Sequence, residues 1–197
     1  MKIKTLVFDL GGILYKHSEN WLVDMSRKYN IPIKELEKIF KDYNKYATSN
    51  EKSKRFWIDL KEKFDISDSW KKVRQTMLDS IILVKEIVRL IRKIRQKGYE
   101  VLFFANSHVD LTPEINKKYK ITKEFDGGLF SHEHAFFKPD KRFYKKLLKI
   151  TTSKPKEILF IDDTKRNLEP AAELGMHTLL FKNPLQLTKK LKEYGII

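Results

Sequence analysis

Short apolar runs and longer stretches of helical periodicity take turns along this chain. The first run, Ile3 to Phe8, stops at Asp9 and is followed by Leu10 and the pair Gly11–Gly12. A run this short, closed by glycine, predicts a strand covered on both faces, as in a parallel sheet. Val101 to Ala105, broken by Asn106–Ser107, repeats the pattern. So do Phe125 to Ser131, Glu157 to Ile161 and Met176 to Phe181. Between them lie helical spacings. Ile82 to Lys97 carries apolar residues at 83, 84, 87, 88, 90, 91 and 94 and then meets Gly98, a helix with a glycine stop. Asp140 to Ile150, Lys165 to Leu174 (stopped by Gly175) and Pro184 to about Tyr194 complete the set.

From Glu19 to Asp79 the pattern changes, and only helical spacing appears. Trp21, Leu22, Met25 and Tyr29 form one stripe; Pro32 suits a first turn leading into Ile33, Leu36, Ile39, Phe40 and Tyr43. Ser49 offers a cap before Phe56, Trp57, Leu60 and Phe64, and Ser67 or Asp68 could cap a helix carrying Trp70, Val73, Met77 and Leu78. This block reads as an inserted helical subdomain, its Trp21, Tyr43, Tyr46 and Trp57 and the neighbouring Tyr15 expected mostly in a core. Strands alternating with helices elsewhere imply right-handed parallel crossovers. The expected fold is therefore α/β: a Rossmann-like, doubly wound parallel sheet formed by residues 1–14 and 82–197, with an all-helical insertion at 15–81.

Composition adds bounds. The chain has 197 residues, 41% hydrophobic and 12% aromatic, enough to bury a core. It has no Cys, which excludes a disulfide scaffold, a thiolate nucleophile and a cysteine metal site. No apolar stretch approaches the roughly 20 residues of a membrane span, and no signal-peptide pattern opens the chain, so a cytoplasmic protein without a membrane partner is expected. The net charge of +15 would suit nucleic acid, but the lysines are spread along predicted helix faces and form no dense arm. A small phosphorylated molecule is the favoured partner over nucleic acid, and a positive field would draw it in. The oligomeric expectation is a monomer or homodimer.

Candidate chemistry gathers at strand ends. In open α/β sheets ligands bind beyond the carboxyl ends of the strands, which is where Asp9, Asn106–Ser107 and Asp162–Asp163 fall. If the first and fourth strands are neighbours, Asp9, Asp162 and Asp163 crowd together and repel unless a cation is present. An all-oxygen site without Cys favours a hard cation, most simply Mg2+. One Asp at a strand end is usually a loop or helix cap; three at two strand ends are harder to dismiss. Lys138, in Lys138–Pro139–Asp140, could bridge a carboxylate nucleophile and a phosphate. His108 is a candidate proton carrier, although a polar loop residue is the plainer reading. His132 and His134 have ligand-like spacing but fit a surface loop.

FDLGG at 8–12, AN at 105–106, FKP at 137–139 and FIDDTKRN at 160–167 resemble, in order and spacing, the four motifs of the haloacid dehalogenase-like hydrolase superfamily. The helical block matches that superfamily's helical cap. Within it, the FDLG motif and the Asp162, Asp163, Asn167 run look most like the α-D-glucose-1-phosphatase subgroup. The resemblance implies a Mg2+-dependent phosphatase of a small phosphorylated metabolite, favouring a sugar phosphate. Asp9 would be the nucleophile, forming an aspartyl-phosphate, and Lys138 would orient it. Mg2+ would be held by Asp9, the Gly11 carbonyl, Asp162 and Asp163. The Leu10 and Gly11 N–H groups, with Asn106, would bind phosphate oxygens, and Ser107 is a possible further donor.

Two positions depart from the family pattern. Gly11 stands where most of its phosphatases carry a second Asp, whose acid–base help is worth typically ~10²–10⁴-fold. Ala105 stands where a Ser or Thr donates to the phosphate. Two alternatives accompany the phosphatase reading, and a weaker third, a phosphatase acting on nucleic-acid ends, rests on the charge alone. One is a 2-haloacid dehalogenase on the same scaffold; the other is a binding protein of this fold with little or no turnover.

Overall fold

The computed structural model describes residues 2–46 and 49–197. They form two units: residues 1–16, 83–106 and 120–197, and residues 17–82 with 107–119. The expected partition put 82–197 wholly in the sheet unit. The structure instead groups Ser107–Tyr119 with the helical one.

The core unit is built on a parallel sheet. Strands β1 (Thr5–Phe8), β4 (Glu100–Ala105), β5 (Gly127–Phe130), β6 (Ile158–Asp162) and β7 (His177–Leu180) lie in the order β5-β4-β1-β6-β7. All pairs are parallel, with Phe8 level with Phe103 on one side and Ile161 on the other. Every residue of β1 and β6 is buried, as the uninterrupted apolar runs require when both faces are covered. The flanking helices are α5 (Lys85–Gln96), α7 (Lys141–Ile150), α8 (Lys165–Glu173) and α9 (Pro184–Glu193). Ile87, Leu90, Ile91 and Ile94 are the buried face of α5, and Gly98 ends it at φ +85°. On the α7 side, Phe143, Tyr144 and Leu147 pack with Val7, Phe104 and Phe160.

The chain leaves β1 for β4 on one side and β6 for β7 on the other. The topological switch thus falls between β1 and β6, where such sheets place their ligands.

The helical unit contains α1 (Trp21–Tyr29), α2 (Ile33–Tyr46), α3 (Asn50–Lys63), α4 (Trp70–Asp79) and α6 (Thr112–Tyr119). Ser49 caps α3 as expected, its side chain accepting from the Lys52 N–H; Ser69, not Ser67 or Asp68, caps α4. Trp57 and Tyr43 are buried; the Tyr46 side chain lies outside the described residues.

Asp110 explains why residues 107–119 belong here. Its carboxylate accepts from Tyr43 Oη at 2.9 and 3.0 Å and from Trp57 Nε1 at 3.0 Å, while Arg74 Nη1 donates to its main-chain oxygen. Two three-residue strands, β2 (Tyr15–His17) and β3 (Ile81–Leu83), pair with each other. The stretch expected as one helix from Ile82 is therefore a strand followed by α5. No helix among the described residues is long and apolar enough to cross a membrane.

Candidate active site

Asp9 extends β1 by one step, its N–H donating to the Ile161 carbonyl at 2.9 Å. Asp162 is the last residue of β6, so the two carboxylates stand side by side at the switch. Lys138 meets both. Its Nζ lies 2.9 Å from Asp9 Oδ1 and 2.6 Å from Asp162 Oδ2, with only 1% of the side chain exposed. The ammonium also lies over the rings of Phe104 and Phe160, at 5.7 and 5.6 Å.

The main chain at Lys138 is equally fixed. Its N–H donates to Asn106 Oδ1 at 2.7 Å, and Asn106 Nδ2 donates back to the Lys138 carbonyl at 3.0 Å. Asn106, expected to touch substrate, thus uses its side-chain amide to brace the lysine. Asp162 is braced in turn by the Thr164 N–H at 2.8 Å and Asn167 Nδ2 at 3.1 and 3.2 Å. Tyr144 Oη holds the Asn167 carbonyl at 2.5 Å. The positioning roles of Asn167 and Tyr144 go beyond the expected site; the five-residue spacing from Asp162, one turn into α8, is the signal that points to Asn167.

One oxygen each from Asp9, Asp162 and Asp163 lies within 4.8 Å of the others. Burial pushes the Asp9 carboxyl up to about 6; Lys138 pulls it down and Asp162 adds repulsion. Asp163 is raised as well, by burial first and then by Asp162. Burial works against the charged form of Lys138, but Asp9 and Asp162 outweigh it and hold the ammonium above its usual range. A single ammonium facing three carboxylates leaves negative charge over, and this donor set fits a hard divalent cation.

The glycines shape the acidic side. Gly12 sits at φ +76°, and a Cβ there would fall 2.0 Å from Asp163 Oδ2. Its lack of a side chain is what lets Asp163 approach. Gly11 is different: nothing lies within 4 Å of a Cβ built on it. Gly11 bridges to Tyr15, whose phenol is raised by burial and by the Asp9 charge. The Leu10 N–H favours the charged form of the Asp9 carboxyl, as the smallest of the influences on that group.

Ala105 is buried at the end of β4 and brings no hydroxyl. Ser107 and His108 belong to the helical unit, where the His108 ring meets Tyr43 edge-on at 4.9 Å. Ser131–Glu133 forms a short 3₁₀ turn holding His132, and the His134 ring lies 5.8 Å from that of Phe143. Neither histidine joins a metal-ligating cluster among the described residues.

A strand-end carboxylate, a buried lysine and an acidic trio thus stand together at the switch of a parallel sheet. The chain belongs to the haloacid dehalogenase-like hydrolases, whose family model matches residues 3–175. Bifunctional epoxide hydrolase 2 of Sus scrofa is 26% identical over 140 residues, 69% of this chain and 23% of that protein. The chain thus spans about a quarter of the length of that relative. Flavin mononucleotide hydrolase 1 of Arabidopsis thaliana is 23% identical, over 99% of this chain and 79% of its own. Among solved structures, a HAD family enzyme from Bacteroides thetaiotaomicron superposes with TM-score 0.75 at 22% identity, covering 92% of this chain and 95% of the other. That enzyme has also been solved with magnesium and inorganic phosphate.

Proposed function

We propose that this hydrolase is a Mg2+-dependent phosphatase of a small phosphorylated metabolite, working through an aspartyl-phosphate on Asp9. The observation that carries the reading is Lys138, buried and bonded to both Asp9 and Asp162 beside a third carboxylate. The phosphate- and flavin-related relatives support the substrate class, and a sugar phosphate is favoured by the motif resemblance.

Asp9, Asp162 and Asp163, with the Gly11 carbonyl, would hold Mg2+, which supplies charge neutralisation to the phosphate oxygens. An Asp9 oxygen attacks phosphorus in line; the bond to the ester oxygen breaks, and its electron pair leaves with the alcohol oxygen. Lys138 keeps Asp9 oriented and offsets charge on the transferring group. The Leu10 N–H, turned toward the Asp9 carboxylate before substrate binds, and the Gly11 N–H would donate to phosphate oxygens. With no acid at Gly11, the leaving oxygen takes its proton from solvent. Water then attacks the acyl phosphate, releasing inorganic phosphate and restoring the Asp9 carboxylate.

p-Nitrophenyl phosphate tests this directly, because its leaving group needs no protonation. Turnover is expected with Mg2+, to be lost with EDTA and abolished in Asp9→Asn. Turnover that persists in Asp9→Asn would remove Asp9 as nucleophile. The absence of turnover in the native protein would favour a second reading, a binding protein of this fold, for which Ala105 and Gly11 already speak. A dehalogenase is less favoured, since displacing halide by a carboxylate leaves the Asp162–Asp163 pair without a task.

A further inference from the structure

Cleaving a phosphate ester leaves one need that the acidic trio and Lys138 do not meet. As the bond from phosphorus to the ester oxygen breaks, negative charge collects on that oxygen, and a donor aimed at it lowers the barrier. Most donors around the trio are already spent. Lys138 is held by Asp9 and Asp162, the Asn106 amide by the Lys138 main chain, Asn167 Nδ2 by Asp162 and the Thr164 hydroxyl by Asp163. Tyr144 lies under the Asp9 charge but gives its proton to the Asn167 carbonyl.

Tyr15 has its proton to give. It belongs to the core unit, as Asp9 does, and its hydroxyl has no hydrogen-bond partner among the described residues. A tight loop fixes its place. Its N–H donates to the Leu10 carbonyl at 3.2 Å, its carbonyl accepts from the Gly12 N–H at 2.9 Å, and it bridges to Gly11. Gly12 is the residue whose missing side chain lets Asp163 approach, so the loop that carries Tyr15 is packed on the acidic trio. The ring is half-buried, and the Asp9 charge reaches it. Open space at the Gly11 Cβ position leaves room beside the bridge for a substrate oxygen. A phenol is protonated at neutral pH and can donate.

We propose that Tyr15 is a further catalytic residue, its hydroxyl donating a hydrogen bond to the leaving oxygen as the ester bond breaks. This rests on the phosphatase reading and adds to it the group that serves the departing alcohol. The electron pair of the broken bond stays on the leaving oxygen, whose proton arrives from solvent. Tyr15 keeps its own proton throughout, so it is unchanged at the end of the cycle. The help is worth most where the departing oxygen carries its charge alone, and least where a nitro group spreads that charge over a ring.

Phenyl phosphate and p-nitrophenyl phosphate, two esters of similar shape, test this in the native protein and in Tyr15→Phe. The substitution keeps the ring and removes only the hydroxyl. It is expected to lower kcat/KM for phenyl phosphate about tenfold more than for p-nitrophenyl phosphate, the worth of one neutral hydrogen bond at its upper end. Mg2+ affinity, read by calorimetry, should match that of the native protein. A merely structural role would instead cut both esters equally and weaken Mg2+ binding, and that result would overturn the proposal.

Two further outcomes would also overturn it while leaving the phosphatase reading intact. One is unchanged turnover of both esters by Tyr15→Phe. The other is a native protein that cleaves p-nitrophenyl phosphate but not phenyl phosphate, since no donor would then be serving the leaving oxygen. A native protein that cleaves neither ester in the presence of Mg2+ would remove the phosphatase reading and this role of Tyr15 together.

Discussion

An added Cβ at Gly12 would lie 2.0 Å from the Asp163 carboxylate, on a backbone already at φ +76°. Gly12→Ala is therefore expected to push Asp163 out of place and weaken Mg2+ binding at least about tenfold, a loss in the range seen when ligand-orienting groups are disturbed. Calorimetric titration with Mg2+ reads this, and an unchanged affinity would show that Asp163 is not a ligand. Gly11 has open space and no positive φ, so Gly11→Asp should fold. It should raise turnover of alkyl phosphates, which need a protonated leaving group, by about 10²-fold, while p-nitrophenyl phosphate changes little.

The Asp9 carboxyl has a pH signature of its own. Its folded, metal-free value of about 6 exceeds the usual 3.8. Between those values the folded state keeps a proton that the unfolded chain has lost. The stability this proton contributes is full below the lower value and fades as pH rises through the upper one. Mg2+ requires the deprotonated form. Its affinity should fall about tenfold per unit as pH drops below about 6 and level off above it. A flat affinity down to pH 5 would contradict the assignment of Asp9 as a ligand.

At the scale of elements, the sheet was readable because its strands are buried on both faces. β1, β4 and β6 are short apolar runs ending in Asp9, Asn106 or Asp162, and no helix can be written on four to six such residues closed by glycine or polar pairs. β2 and β3 were not readable. Three residues carry no period, and Ile81–Leu83 merges with the apolar positions of α5. α6 was missed because Thr112–Tyr119 buries only Thr112 and Ile115, too few for a stripe. The attachment of that segment rests on Asp110, whose partners Tyr43 and Trp57 lie more than fifty residues away.

Tyr43→Phe removes one donor to Asp110 and should destabilise the helical unit by about 1.5–3 kcal/mol, as for a hydrogen bond to a charged group. Denaturation followed by tryptophan fluorescence measures the loss. Hydrogen exchange should quicken in residues 107–119 together with α3 and α4, and not in β4. Faster exchange in β4 alone would show that the segment is held by the sheet.

At the scale of the whole molecule, the charge of +15 has no single dense site, and most of the excess falls in the core unit. Such a field speeds the capture of anions without choosing among them. kcat/KM for a phosphate ester should fall several-fold as ionic strength rises from about 0.02 to 0.2 M, where the screening length shrinks below about 10 Å. A neutral ligand should show no such slope, and an equal slope for both would point to general salt inhibition. The acidic trio was legible in the sequence as strand ends because the switch of a parallel sheet fixes where neighbouring strands finish. The amide brace from Asn106 to Lys138 was not, since it joins two loops with no common period.

The discontinuity of the helical unit bears on how such proteins exchange modules. The chain passes between the units after Lys16, Ile82, Asn106 and Tyr119. A transplant of residues 17–82 alone would leave Asp110 in the host without Tyr43, Trp57 and Arg74, and would carry those donors away without their acceptor. A working chimera has to move both segments together, so the insertion and the loop after β4 are inherited as one piece although the 24 residues of scaffold between them, 83–106, stay with the host.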